Sequence, residues 1–152
     1  MVKNTKLNFL TCMISSVNGK PLLNLSQELV NKLNIKTNDD IEDYRDQIPN
    51  YTFADVLNEL FDSVPFSSNK HFSLYNNILI DIRIAKRANQ IYINTEKSEL
   101  ETLKDIFEKA IINKPEINRK SAFIMEVIDQ CIADIINENN PEKVIVESTT
   151  EN

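Results

Sequence analysis

Glycine occurs once in these 152 residues, histidine once, cysteine twice and tryptophan not at all. A phosphate cradle needs several glycines so that backbone N–H groups can approach the anion. With Gly19 alone, neither a P-loop nor a dinucleotide fingerprint can be written. One histidine and two distant cysteines cannot build a tetrahedral zinc site unless carboxylates fill most of the places. His71, in Asn69-Lys70-His71-Phe72, stands at a predicted helix start with no partners for a triad, and reads as an exposed or capping residue. Cys12 and Cys131 lie in differently patterned segments and read as small hydrophobes with reduced thiols. The sequence therefore nominates no catalytic residue, no metal ligand and no cofactor, and the expectation is a protein that is not an enzyme.

Long apolar runs are missing too. Nothing approaches the roughly 20 apolar residues of a membrane helix. The start carries two lysines, and Phe9 to Ile14 is too short and too polar for a signal segment, so the expected location is the cytoplasm, with no membrane partner. Net charge is -6 with a pI near 4.9, which argues against a general coat for nucleic acid.

What remains is a composition of 41% hydrophobic and 26% charged residues, that of a globular domain with a core to bury. The reading is a single α+β domain, mostly helical, over residues 1–140, followed by a flexible or strand-forming tail over 141–152. Lys6 to Ser16 is rich in Leu, Phe, Thr, Met and Ile, and Asn18-Gly19 then signals a type I′ turn. This predicts an N-terminal β-hairpin whose return strand, Pro21 to Leu23, lies at a sheet edge because Pro21 has no N–H to donate.

About five helices follow. Asn24 or Ser26 caps the first, which runs to about Leu33 with Leu25, Leu29 and Val30 on its stripe. The acidic stretch Thr37 to Gln47 reads as a loop or a weak helical turn. Thr52 with Asp55 three residues on forms an N-cap signal for Phe53 to Val64. Phe72 to Gln90 carries Leu74, Ile78, Ile82, Ala85 and Ala88 on one face. Ile78, Ile80, Ile82 and Ile84 also alternate as a strand would, but the helical pattern extends past them on both sides. Ile91 to Ile93 reads as a brief extended link before Asn94 or Thr95 caps a helix through Ile111. After Pro115 comes the last helix, Asn118 to Asn137, with Phe123, Ile124, Val127, Ile128, Cys131, Ile132, Ile135 and Ile136. So broad a stripe places this helix centrally.

Two features are candidates for interaction. Arg83, Lys86 and Arg87 share a helix face at i, i+3, i+4, but with no interleaved aromatic for base stacking. Val144, Ile145 and Val146 form a short β-branched run in the tail that can extend a sheet edge, its own or a partner's. The acids Asp39, Asp40, Glu42, Asp43 and Asp46 lack the glycine turn and closing glutamate of a calcium loop and read as a solvated surface.

Leu7-Asn8-Phe9-Leu10, the turn Asn18-Gly19-Lys20-Pro21-Leu22, and Ile91-Tyr92-Ile93-Asn94-Thr95-Glu96 leading into Leu100-Glu101-Thr102-Leu103-Lys104 resemble small bacteriophage-encoded accessory proteins. The resemblance implies a viral accessory or assembly protein that acts through contacts, in the host cytoplasm or the virion. The expected partners are a protein or a second copy. The alternative is a nucleic-acid-associated regulator using the basic stripe.

Overall fold

The computed structural model describes residues 4–138. It is mostly helical: six α-helices and one two-stranded antiparallel sheet. In order these are β1 (Asn4–Asn8), α1 (Gln27–Leu33), α2 (Asn38–Asp43), α3 (Phe53–Leu60), α4 (Asn69–Arg87), β2 (Tyr92–Glu96), α5 (Lys97–Asn113) and α6 (Asn118–Glu138), with single 3-10 turns at Arg45–Gln47 and Pro115–Ile117. The candidate tail residues Val144, Ile145 and Val146 lie outside the described residues.

Helix starts follow the side chains that can satisfy orphan N–H groups. Ser26 Oγ accepts from the Leu29 N–H, and Ser68 Oγ from His71. Thr52 and Asp55 form a reciprocal capping box for α3. Thr37 and Asp40 form the same box for α2, so the acidic stretch is a short helix followed by a 3-10 turn where a loop or weak turn is expected. The acids there are held by local partners: Glu42 pairs with Arg45 at 2.8 Å and faces Lys20 at 3.8 Å.

The sheet differs from the expected hairpin. β1 pairs with β2, with Leu7 opposite Ile93, and not with Pro21–Leu23. Tyr-Ile-Asn-Thr-Glu in β2 alternates inward Ile93 and Thr95 with outward residues and has every N–H available, whereas the return segment begins at a proline. A reversal across Gly19 is nevertheless present. The Ser15 N–H donates to the Lys20 carbonyl at 2.9 Å, the Gly19 N–H donates to the Ser15 carbonyl at 3.0 Å, and an isolated bridge joins Ile14 to Pro21. It is a four-residue loop in place of a type I′ turn, since Gly19 takes φ +70° while Asn18 does not. The segment is then stitched to Asn50–Thr52 through Met13 N–H to Tyr51 O at 3.0 Å and by a Cys12–Thr52 bridge.

Nothing lies within 4 Å of where a Gly19 side chain would begin, so only the backbone conformation demands glycine there. Gly19→Val is expected to cost about 1–3 kcal/mol from a β-branched residue at positive φ. Gly19→Asn should recover most of that loss, because asparagine tolerates this region. Thermal melting of the two variants checks both statements; equal midpoints for Gly19→Val and the parent would contradict them.

One core joins the elements. Leu7 and Phe9 beside β2, the inner face of α3, Tyr75, Ile78 and Ile82 of α4, Leu103 and Phe107 of α5, and Ile124, Ile128 and Ile135 of α6 are all buried. Helix α6 packs against α3, α5 and β1, the central position its broad apolar stripe implies. Of the four isoleucines of the β alternative, Ile78 and Ile82 are buried and Ile80 and Ile84 are exposed, all on helix α4. Two expected helix starts shift: Glu96, with Glu99, caps α5 in place of Asn94 or Thr95, because Tyr92 to Glu96 is a strand and not a brief link.

Candidate functional site

The apolar residues of α6 are more than its core contacts use. Ser121, Ile124, Ile128, Cys131 and Ile135 point inward and are buried. A second stripe, Arg119, Ala122, Phe123, Glu126, Val127, Gln130, Cys131 and Asp134, follows the same i, i+3, i+4 spacing and forms one wall of a groove. The opposite wall comes from the N-terminal segment: Lys6, Asn8, Thr11, Cys12, Met13 and Ile14. The groove has a volume of about 550 Å³. Phe123 and Val127 are half-buried, and Ile14 is 51% exposed. Polar groups ring this apolar floor. Lys6, which also sits 4.5 Å above the Tyr92 ring, and Arg119 supply positive charge; Glu126 and Asp134 supply negative charge, and Gln130 Nε2 holds Asp134 Oδ1 at 3.0 Å.

The backbone of β1 adds donors and acceptors to the same place. The Phe9 N–H donates to the Ile91 carbonyl in continuation of the register that sets Leu7 against Ile93. By the alternation of an antiparallel ladder, the odd residues of β1 bond to β2, so the N–H and C=O groups of Lys6 and the N–H of Asn8 point to the outer edge. Lys6 and Asn8 are the two β1 residues that line the groove. An unpaired edge beside an apolar trough is the arrangement that accepts an extended peptide.

No protein family, characterised protein or solved structure matches this chain.

Cys131, in the groove wall, is not an activated nucleophile. Burial, followed by the nearby Asp134 carboxylate, pushes the Cys131 thiol up to about 11, which keeps it protonated at neutral pH. We expect a thiol reagent at pH 7 to modify Cys131 of the native protein at least about a hundredfold more slowly than in denaturant. Peptide mapping of the labelled protein gives the rate, and native-state labelling as fast as unfolded labelling would contradict the packing described for α6.

The basic stripe of α4 lies elsewhere. Arg83, Lys86 and Arg87 are exposed on α4, and Arg83 and Lys86 open onto a shallow hollow shared with Asp55 and Asn58 of α3. Lys86 and Arg87 fall in the last turn, where positive charge complements the helix dipole without any ligand. His71, at the start of α4, is 2.6 Å through Nδ1 from Ser67 Oγ. Among the described residues, no three His, Cys, Asp or Glu side chains converge as a metal site would require, and no helix is long and apolar enough to cross a membrane.

A different polar cluster ties three segments together outside the groove. Glu59 of α3 accepts from the Tyr51 hydroxyl and from Lys120 of α6, and these partners, Lys120 first, hold its carboxyl below the usual range. Its contacts are structural, bracing the Asn50–Thr52 segment between two helices.

The groove is not legible in the sequence: Phe123 and Val127 read as core, Met13 and Ile14 read as strand, and nothing in the pattern sets Lys6 or Arg119 apart. The available signal was the width of the α6 stripe, which exceeds what one buried face needs.

Proposed function

We propose that this chain is a non-enzymatic accessory or assembly protein of the phage type, acting by protein–protein contact in the host cytoplasm or the virion. Its docking site is the groove between α6 and the N-terminal segment, and its ligand is an extended, apolar stretch of a protein partner. The observation that supports this most directly is the coincidence of the outer edge of β1 with the apolar trough of Phe123 and Val127. The edge supplies main-chain hydrogen bonds, and the trough selects alternate apolar side chains. The protonated Cys131 thiol suits a packing wall and not covalent chemistry.

The test is capture from cells with the tagged full-length chain and with its Val127→Glu variant. The reading expects a protein that is captured by the parent, lost with Val127→Glu, and insensitive to nuclease, while both chains melt alike. Capture unaffected by Val127→Glu would remove the groove from the mechanism. Capture abolished by nuclease and by Arg83→Glu would favour the nucleic-acid alternative at Arg83, Lys86 and Arg87.

A further inference from the structure

We infer that the groove selects a partner segment by its order of charges: an acidic residue at the Arg119 end, apolar residues at alternate positions over Phe123 and Val127, and a basic residue at the Asp134 end. The inference rests on the groove being a site for an extended segment of a partner, and names the chemistry of that segment.

Spacing is the first argument. One row of the α6 wall, Arg119-Phe123-Val127-Cys131, repeats at i, i+4. Four residues of a helix advance about 6 Å, and two residues of an extended chain advance about 6.6 Å and point to the same side. Alternate side chains of a bound segment therefore meet successive members of this row: an exposed cation, a half-buried ring, a half-buried valine. A second row beside it holds Glu126, Gln130 and Asp134. From Arg119 to Asp134 the helix rises about 22 Å, the span of about seven extended residues.

Charge supplies the second argument. Where α6 faces packed helices its charges are paired: Lys120 with Glu59 of α3, and Asp129 with Lys104 of α5 at 2.7 Å. Arg119, Glu126 and Asp134, which line the groove, are exposed and have no ion-pair partner among the described residues. Helix stability does not ask for this order. The first turn of α6 holds no acid and the last turn no base, the reverse of what the macrodipole favours, and Arg119 stands at the N-terminal end. Lys6, in the opposite wall, sits over the Tyr92 ring, which leaves the order of charges to α6. An acid brought to Asp134, or a base brought to Arg119, meets a like charge in a partly dry groove, and Glu126 bars an acid from the middle of the segment.

The experiment titrates the full chain into three fluorescently labelled seven-residue peptides, read by anisotropy at low salt. The first is Asp-Thr-Leu-Thr-Val-Thr-Lys; the others carry Asp at both ends or Lys at both ends. The mixed peptide should bind at least about fivefold more tightly than either of the others. Asp134→Lys should transfer the preference to the peptide with two Asp, and Arg119→Glu to the peptide with two Lys. Both positions are exposed, and circular dichroism confirms that the variants are folded. Equal affinities for the three peptides, a preference that neither variant moves, or no binding up to millimolar concentration would each overturn the inference. Equal affinities that are all lost in Val127→Glu would leave the docking site standing and remove only the charge order. Peptide binding unchanged in Val127→Glu would remove the groove, and the inference with it.

Discussion

Phe107→Ala is expected to lower stability by about 3–5 kcal/mol, the largest effect of any single substitution considered. Phe107 is fully buried on α5, with its ring centroid 5.8 Å from that of Tyr75 on α4. Tyr75, also fully buried, donates from its hydroxyl to the Leu57 carbonyl of α3 at 2.5 Å. Truncating Phe107 therefore leaves a cavity where three helices meet, next to a polar group whose geometry depends on close packing. For a chain of this size the loss corresponds to a drop in melting temperature on the order of 10 °C. Urea denaturation gives the free energy directly. A loss below about 1 kcal/mol would mean that the Tyr75–Phe107 contact does not organise the core.

Leu7→Ala is expected to cost about 2–5 kcal/mol, because Leu7 is fully buried where β1 joins the helical core. Its value lies in what it couples to. Leu7 faces Ile93 across the sheet, so Leu7→Ala and Ile93→Ala should be non-additive by about 0.5 kcal/mol or more. Leu7→Ala and Leu22→Ala should be additive, because the Leu22 N–H donates to the Met13 carbonyl across the Gly19 loop and Leu22 is no ladder partner of Leu7. Chemical denaturation of the three single and two double variants decides between the pairings, and coupling to Leu22 in place of Ile93 would overturn the β1–β2 register.

The helices were legible because their signals are local. Thr52 and Asp55 announce α3, Ser26 announces α1, and the Phe72–Gln90 pattern gives α4 once its length is weighed against the alternation of its isoleucines. Thr37 and Asp40 carry the same capping grammar as Thr52 and Asp55. They were hidden by the density of acids, which invites a reading as surface charge although Asp40 spends its charge on the backbone N–H groups of Lys36 and Thr37. The pairing of β1 with β2 has no local signature. Its partners stand far apart in sequence, while the proline-led segment pairs with Met13 and Ile14, beyond the end of β1. The Asn18-Gly19 signal correctly marked a reversal and misled only as to which strand completes the sheet.

The groove was hidden for a related reason. Its walls are the beginning and the end of the described chain, and a sequence stripe gives the width of an apolar face without saying how much of it the core covers. On α6 the inner residues Ile124, Ile128 and Ile135 are covered, while Phe123 and Val127 face the N-terminal segment across open space. That division makes a central helix one wall of a groove.

Amide exchange at Lys6 and Asn8, followed by NMR in the full chain with and without the captured protein partner, tests this account most directly. Both N–H groups point away from β2, so nothing within the β1–β2 ladder protects them. With the partner's extended segment on the outer edge of β1, exchange should be slowed at least about tenfold relative to the free chain. Equal, fast exchange at Lys6 and Asn8 with and without the partner, with Leu7 still protected, would contradict it.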